Sequence, residues 1–127
     1  MYPYVFGHRL IPLAEGSLST FLKTTRVRVL NENDCNNQYR EATYNSNLRA
    51  TGLLCALGQN DSTACRGDSG GPLACFDPVT REPLLAGIIS FQHGKACSTE
   101  FPLFTMAISN QLAFIEHHMR NSDDHDF

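Results

Sequence analysis

Cys65-Arg66-Gly67-Asp68-Ser69-Gly70-Gly71-Pro72-Leu73-Ala74-Cys75 is the stretch whose reading decides what this 127-residue chain is. Three glycines and a proline crowd around one serine, so the backbone rather than side-chain packing shapes the segment. Without Cβ atoms at Gly67, Gly70 and Gly71, the chain can enter positive φ and a ligand can reach the main chain beside Ser69. That is the setting an exposed hydroxyl nucleophile needs. It also lets the N–H groups of Gly67 and Ser69 point the same way, as donors for a developing oxyanion. The plainer alternative is that a Gly-Ser-Gly-Gly-Pro cluster is only a tight turn.

Gly67-Asp68-Ser69-Gly70-Gly71 also satisfies G-x-S-x-G, the elbow of α/β-hydrolases, in which a strand enters the serine turn and a helix leaves it. Gly70-Gly71-Pro72 is a poor helix start, and Leu73-Ala74-Cys75-Phe76 reads as a strand, so the elbow reading loses. Gly67-Asp68-Ser69-Gly70-Gly71-Pro72, with Cys65 two residues before the first glycine, closely resembles the nucleophile loop of chymotrypsin/trypsin-fold serine peptidases. The resemblance implies that Ser69 is the nucleophile, that Gly67 and Ser69 supply the oxyanion hole, and that Asp68 is the acid that pairs with a new N-terminal ammonium after zymogen cleavage. It covers the chain from about Val5 to Met119 but only the second half of a peptidase. The fold it implies is all-β, a six-stranded antiparallel Greek-key barrel with a short intermediate helix and a C-terminal helix.

The bulk numbers agree with one globular domain over residues 1–127: 42% of residues are hydrophobic and 18% charged. A formal charge of −3 offers no case for nucleic-acid binding, and no run of apolar residues is long enough to span a membrane. Met1 to Gly7 lacks the basic and long apolar regions of a secretory signal. Five cysteines in so short a chain nevertheless suggest an oxidising, extracellular setting. No C-x-x-C occurs, which disfavours zinc, and no metal or cofactor is expected. Asn60-Asp61-Ser62 is a glycosylation sequon in a polar loop and agrees with secretion.

Two bridges among five thiols can be drawn in fifteen ways, and the residues alone do not choose. The resemblance implies Cys35–Cys55 and Cys65–Cys97, leaving Cys75 unpaired. In the family the partner of Cys75 lies about five residues before an aromatic-glycine pair, here Phe6-Gly7, and counting back lands on Met1. The first barrel, which in the family carries the catalytic histidine and aspartate, is therefore expected to be missing. An isolated second barrel should be inactive, and its uncovered apolar inter-barrel face should promote association.

In chain order, residues 2–24 read as an irregular opening with one short strand near Tyr4 to Phe6. Thr25 to Leu30 alternates apolar Val27 and Val29 with solvated Arg26 and Arg28, a half-buried strand. Cys35 to Arg40 reads as a short helix, with Asn31, Asn33 and Asp34 as candidate caps. Further strands are predicted over Gly52–Leu57, Gly71–Phe76, Leu84–Phe91 and Pro102–Ile108, with a turn at Asp77 to Arg81. A helix is predicted over Gln111–Met119, capped by Ser109 or Asn110, with Ile108, Leu112, Ile115 and Met119 on one face. Residues 120–127 read as a disordered tail.

Serine is a weak nucleophile without a base. None of His8, His93, His117, His118 and His125 matches the position of the family's catalytic histidine. His117 and His118 suit the negative end of a helix, and nothing orients His93 for a dyad with Ser69. By counting from the serine, Thr63 falls at the base of the family's specificity pocket, where trypsin-like enzymes carry an acid, so cleavage after Arg or Lys is not implied. Ser90-Phe91-Gln92 resembles the Ser-Trp-Gly strand that pairs with substrate backbone, with Gln92 in place of a wall glycine, and either Pro102 replaces the other or the loop there is one residue shorter. Both departures narrow the pocket towards a small or medium apolar side chain, or none.

The expected function is serine endopeptidase, acting on peptide or protein substrates through an acyl-enzyme on Ser69 once a first barrel supplies histidine and aspartate. The alternative is a catalytically dead homologue acting as a binding or regulatory module. A third possibility is an incomplete translation of a normal enzyme.

Overall fold

The computed structural model describes residues 2–7, 21–45, 51–59, 62–65, 67–92 and 99–122. Six strands are present: β1 (Tyr2–Gly7), β2 (Lys23–Val29), β3 (Leu53–Gly58), β4 (Pro72–Phe76), β5 (Pro83–Gln92) and β6 (Leu103–Ala107). Every ladder is antiparallel, and the order β1-β2-β3-β6-β5-β4 closes on itself through β1 and β4. Reading round the barrel as β4-β1-β2-β3 gives the Greek-key order that the resemblance implied. Closure pairs every strand on both sides, although the β4 ladder stops at Ile88 and leaves the end of β5 bonded to β6 alone among the described strands.

Alternation explains what fills the barrel. Each strand sends one side chain to a common interior cluster: Val5, Val27, Ala56, Leu73, Ile89 and Leu103, joined by Ala64. Along β2, Thr25 and Val27 are buried while Arg26 and Arg28 face solvent, as the sequence pattern predicts; Val29, expected inside, is exposed at the strand's end. Burying a Val, Leu or Ile in such a cluster contributes about 1.5–3 kcal/mol each, so the interior is the main cohesive element.

A second cluster lies under helix α1 (Glu32–Thr43), where Cys35, Cys55 and Phe104 are buried and Leu30, Tyr39, Ala42 and Leu53 pack around them. The expected disulfide joins Cys35 to Cys55, tying α1 to β3. The helix is longer than predicted at both ends. Asn31 caps it by accepting the Asp34 N–H at 2.8 Å. The helix runs on past Arg40 to Thr43, whose hydroxyl donates to the Tyr39 carbonyl at 2.7 Å. Tyr44, in the left-handed region at φ 55°, then closes the last turn on the carbonyls of Arg40 and Glu41.

The turn between β4 and β5 is set by Asp77, whose carboxylate accepts the N–H groups of Val79 and Thr80. Those two bonds hold its carboxyl below the usual carboxylate range. After β6 come a 3-10 turn (Ile108–Asn110) and helix α2 (Leu112–Ser122). Ser109 and Asn110, expected as caps, belong to that turn. Gln111 instead precedes the helix, its carbonyl accepting the Ile115 N–H at 3.0 Å. The helix also includes residues 120–122, which the sequence assigned to the tail; residues 123–127 lie outside the described residues.

Candidate active site

Ser69 sits on a turn stitched to the middle of β5. The Gly70 N–H donates to the Ile89 carbonyl at 2.8 Å, and the Ile89 N–H donates to the Gly71 carbonyl at 2.9 Å. Gly67 and Gly70 both have positive φ, 96° and 88°, so the two glycines flanking the Asp68-Ser69 pair make the turn possible. The Ser69 side chain is exposed, and its hydroxyl donates a long bond of 3.4 Å to the Ser90 carbonyl.

The turn also divides its amides. The N–H groups of Asp68, Gly70 and Gly71 are spent on the carbonyls of Cys65, Ile89 and Asp68. Those of Gly67 and Ser69 donate to no acceptor among the described residues. Two such donors next to an exposed hydroxyl are what the stabilisation of a tetrahedral oxyanion requires.

Asp68 points the other way. Its side chain is 3% exposed, and one carboxylate oxygen accepts the Cys65 N–H at 2.8 Å. The other oxygen lies against the end of β1, where a methyl group added to Gly7 would overlap it. Gly7 is thus a positioning residue that the sequence reading passed over. Its only local signal was a glycine closing a strand.

Two cavities meet at Ser69. One, of 470 Å³, lies between Phe6, Leu22, Gly67 and Pro72. The other, of 210 Å³, is lined by Cys65, Ile89, Ser90, Phe91, Gln92 and Leu103 along with Ser69. Three of the five residues expected to form a specificity pocket are therefore gathered there. Thr63 and Pro102 are not among the described lining residues. Thr63 is 1% exposed and packs on Gly58, and its hydroxyl has no hydrogen-bond partner among the described residues. Pro102 is fully buried and lines a different cavity, beside Arg28 and Asp34 of the α1 side. Ile89 and Leu103, buried strand residues whose only sequence signal was membership of apolar strands, line it as well. Phe91 is stacked on Phe104 with centroids 4.6 Å apart, and Tyr39 of α1 meets Phe104 edge-on at 5.7 Å, so the wall is braced from behind.

Cys65 is disulfide-bonded, and its expected partner Cys97 lies outside the described residues. Cys75 is a free thiol on β4, opposite Pro3 of β1. Partial burial pushes its pKa up, so at neutral pH it is a thiol rather than a reactive thiolate.

No imidazole reaches Ser69 among the described residues. His117 and His118 are on α2, where their ring nitrogens engage Asn121 and the Phe114 carbonyl. His8, His93 and His125 lie outside the described residues. Among the described residues, no group of three His, Cys, Asp or Glu side chains is arranged to hold a metal ion, and no helix is long and apolar enough to cross a membrane.

Against known proteins, the Trypsin family profile matches residues 7–115. The chain belongs to the trypsin family. It is 33% identical over 116 residues to coagulation factor XII of Sus scrofa, covering 89% of this chain and 18% of that protein. Similarity to a venom serine protease of Polistes dominula is 29% over 100 residues, 79% of this chain and 33% of the relative. Transmembrane protease serine 7 of Homo sapiens is 31% identical over 102 residues, 80% of this chain and 11% of that protein. The trypsin-family chain thus spans a third or less of the length of each of these relatives.

Proposed function

We propose that Ser69 is the nucleophile of a serine endopeptidase whose histidine and aspartate come from a first barrel joined to this one. The observation that carries the reading is the serine turn itself. An exposed hydroxyl makes a long bond to the Ser90 carbonyl, beside the Gly67 and Ser69 N–H groups, which donate to no acceptor among the described residues. In the reaction, Ser69 Oγ bonds to the scissile carbonyl carbon while its proton passes to the histidine. The oxyanion settles on the Gly67 and Ser69 amides, and the histidine returns the proton to the leaving amine. Water then cleaves the acyl-enzyme. Ser90, Phe91 and Gln92 would receive extended substrate backbone, since the β4 ladder stops at Ile88 and past Ile89 that part of β5 pairs only with β6.

The first barrel would also cover apolar surface. Leu112, Phe114 and Met119 of α2 are exposed, which supports a face awaiting a partner. Two disulfide-bonded sites, Cys35–Cys55 and Cys65, support an oxidising, extracellular location, and one relative is a venom protein by name. Asp68, buried beneath the turn, would be the acid that pairs with a new N-terminal ammonium after zymogen cleavage.

A fluorophosphonate probe tests the reading. The 127-residue chain alone should remain unlabelled, and the natural protein joined to its first barrel should be labelled once per molecule, with Ser69→Ala abolishing the signal. Stoichiometric labelling of the isolated chain would remove the need for a first barrel. An unlabelled natural protein would favour the second reading, an inactive homologue serving as a binding or regulatory module. That reading draws on Gln92 at the cavity wall and on the lack of an imidazole beside Ser69 among the described residues.

A further inference from the structure

The geometry points to a binding site for a phosphocholine group on the outer wall of the barrel, with its trimethylammonium among Tyr4, Phe6, Phe76 and Asp77 and its phosphate at Arg81. A cavity of 470 Å³ lies there, between β1 and the turn that joins β4 to β5. Tyr4, Phe76, Asp77 and Arg81 are not among the described residues that line the cavities at Ser69, and the inference does not depend on that serine.

Strand alternation puts the rings outside. Val5 and Leu73 pair across β1 and β4 and fill the barrel, so Tyr4 and Phe6, on either side of Val5, turn to the outer face. Phe76 meets both: Tyr4 edge-on with centroids 5.6 Å apart, and Phe6 tilted by 54° at 6.4 Å. All three are half-buried and line the cavity, so rings at different angles wall one space. Ring faces carry negative potential and attract a cation that gives up its water readily. A quaternary ammonium is such a cation.

Asp77 completes the cation side. The Thr80 and Val79 N–H groups both donate to its Oδ1, at 3.0 and 2.8 Å, and these bonds hold the carboxyl below the usual carboxylate range. It is therefore a fixed anion at neutral pH, and its Oδ2 accepts from neither amide. Arg81 supplies the opposite charge. Its N–H donates to the Asp77 carbonyl at 2.8 Å, which anchors the side chain on the same turn. The two charges make no ion pair with each other. An apolar cavity bearing one fixed anion and one guanidinium matches a ligand that carries both charges itself. The guanidinium fork suits phosphate, and methyl groups on nitrogen lay apolar surface on the rings where a bare ammonium would keep its water. The same headgroup exists as a free compound and on phosphatidylcholine membranes.

The test uses the natural protein that carries this chain. Phosphocholine is titrated by proton NMR, because methyl protons held over ring faces shift upfield. It is compared with phosphoethanolamine, with choline, and with neohexyl phosphate, in which carbon replaces the charged nitrogen. Phosphocholine should shift upfield and bind at least about fivefold more tightly than each of the others, within the effect of one cation–ring contact or one charge-assisted bond. Absence of saturable phosphocholine binding, or equal binding of phosphoethanolamine or neohexyl phosphate, would overturn the site. Equal binding of choline would overturn the role of Arg81.

Two variants and two membranes complete the test. Asp77→Asn keeps an acceptor for the Val79 and Thr80 amides and should weaken choline and phosphocholine alike, severalfold. Arg81→Asn tolerates the left-handed backbone found there, at φ 61°, and should weaken phosphocholine severalfold while leaving choline unchanged. Either variant with phosphocholine affinity intact would overturn the assignment of its residue. Sedimentation with phosphatidylcholine vesicles but not phosphatidylglycerol vesicles, reversed by free phosphocholine, would support the membrane headgroup as the source. Binding of phosphocholine without such sedimentation would support the free compound, and equal sedimentation with both vesicles would overturn recognition of choline on a membrane.

Discussion

The two helices are of nearly equal length, 12 residues in α1 and 11 in α2, yet they relate to the barrel in opposite ways. By sequence α2 is the more obviously amphipathic, with Leu112, Ile115 and Met119 at helical spacing. In α1 the stripe is only Cys35, Tyr39 and Ala42 among polar residues. The structure packs the weaker stripe, with Cys35 buried and Tyr39 and Ala42 half-buried, and leaves the stronger one mostly exposed, with only Ile115 half-buried. Cys35 is bonded to β3, and Tyr39 packs on Phe91 and Phe104. Leu112 is 49% exposed, Phe114 63% and Met119 65%. Helical periodicity shows that a face wants burial but does not say against what. A helix of 11 residues has little stability of its own in water. The difference therefore separates a helix bonded and packed onto the barrel from one whose Leu112, Phe114 and Met119 stay exposed.

Removing the anchor of α1 should have the largest effect. Phe104→Ala leaves a cavity under both Tyr39 and Phe91 and should cost about 3–5 kcal/mol in urea unfolding, the usual toll of a buried aromatic. A loss below about 1 kcal/mol would mean that α1 is not held by this residue. Next comes the disulfide. Cys35→Ala with Cys55→Ala frees a loop with a sequence separation of 20 residues and should cost about 3 kcal/mol, read as a lowered thermal midpoint.

A smaller effect is expected from Asn31→Ala, about 1 kcal/mol, because one capping bond to the Asp34 N–H is lost while the disulfide keeps α1 in place. The smallest belongs to α2. Leu112→Ser with Met119→Ser should change the stability of the isolated chain by no more than about 0.5 kcal/mol, since neither side chain is buried. Hydrogen exchange offers the same contrast directly: α1 amides should be protected and α2 amides should exchange quickly. A destabilisation of α2 variants comparable to Phe104→Ala would erase the distinction between the helices.

The serine turn was legible because its chemistry is local. Positive φ at Gly67 and Gly70, the backbone-dominated turn and the exposed Ser69 all follow from adjacent residues. Strand positions were legible to within a residue or two for the same reason, since alternation in stretches such as residues 25–28 is a property of neighbours. The cavity beside Ser69 was only half legible. Ser90, Phe91 and Gln92 were found because they run consecutively along β5. Ile89 and Leu103 were not, since their meeting depends on the register of β5 against β6, in which Gln92 faces Leu103. The contact between Gly7 and Asp68 was out of reach for the same reason: 61 positions separate the two residues along the chain, and only closure of β1 onto β4 brings them together.

By itself, the sequence determined a serine on a glycine-rich turn and a series of short strands, because backbone freedom and side-chain alternation are written into neighbouring residues, while the barrel followed from the resemblance of residues 65–72 to the nucleophile loop of the family. Only the tertiary structure decided that the Gly67 and Ser69 amides find no acceptor among the described residues and that Thr63 is buried against Gly58. It alone decided that Ile89 and Leu103 of the barrel core line the cavity beside Ser69 and that α1, not α2, is packed down. Those outcomes depend on which groups meet across the closed sheet and on which hydrogen bonds that closure uses up, and no stretch of chain carries either in its own composition.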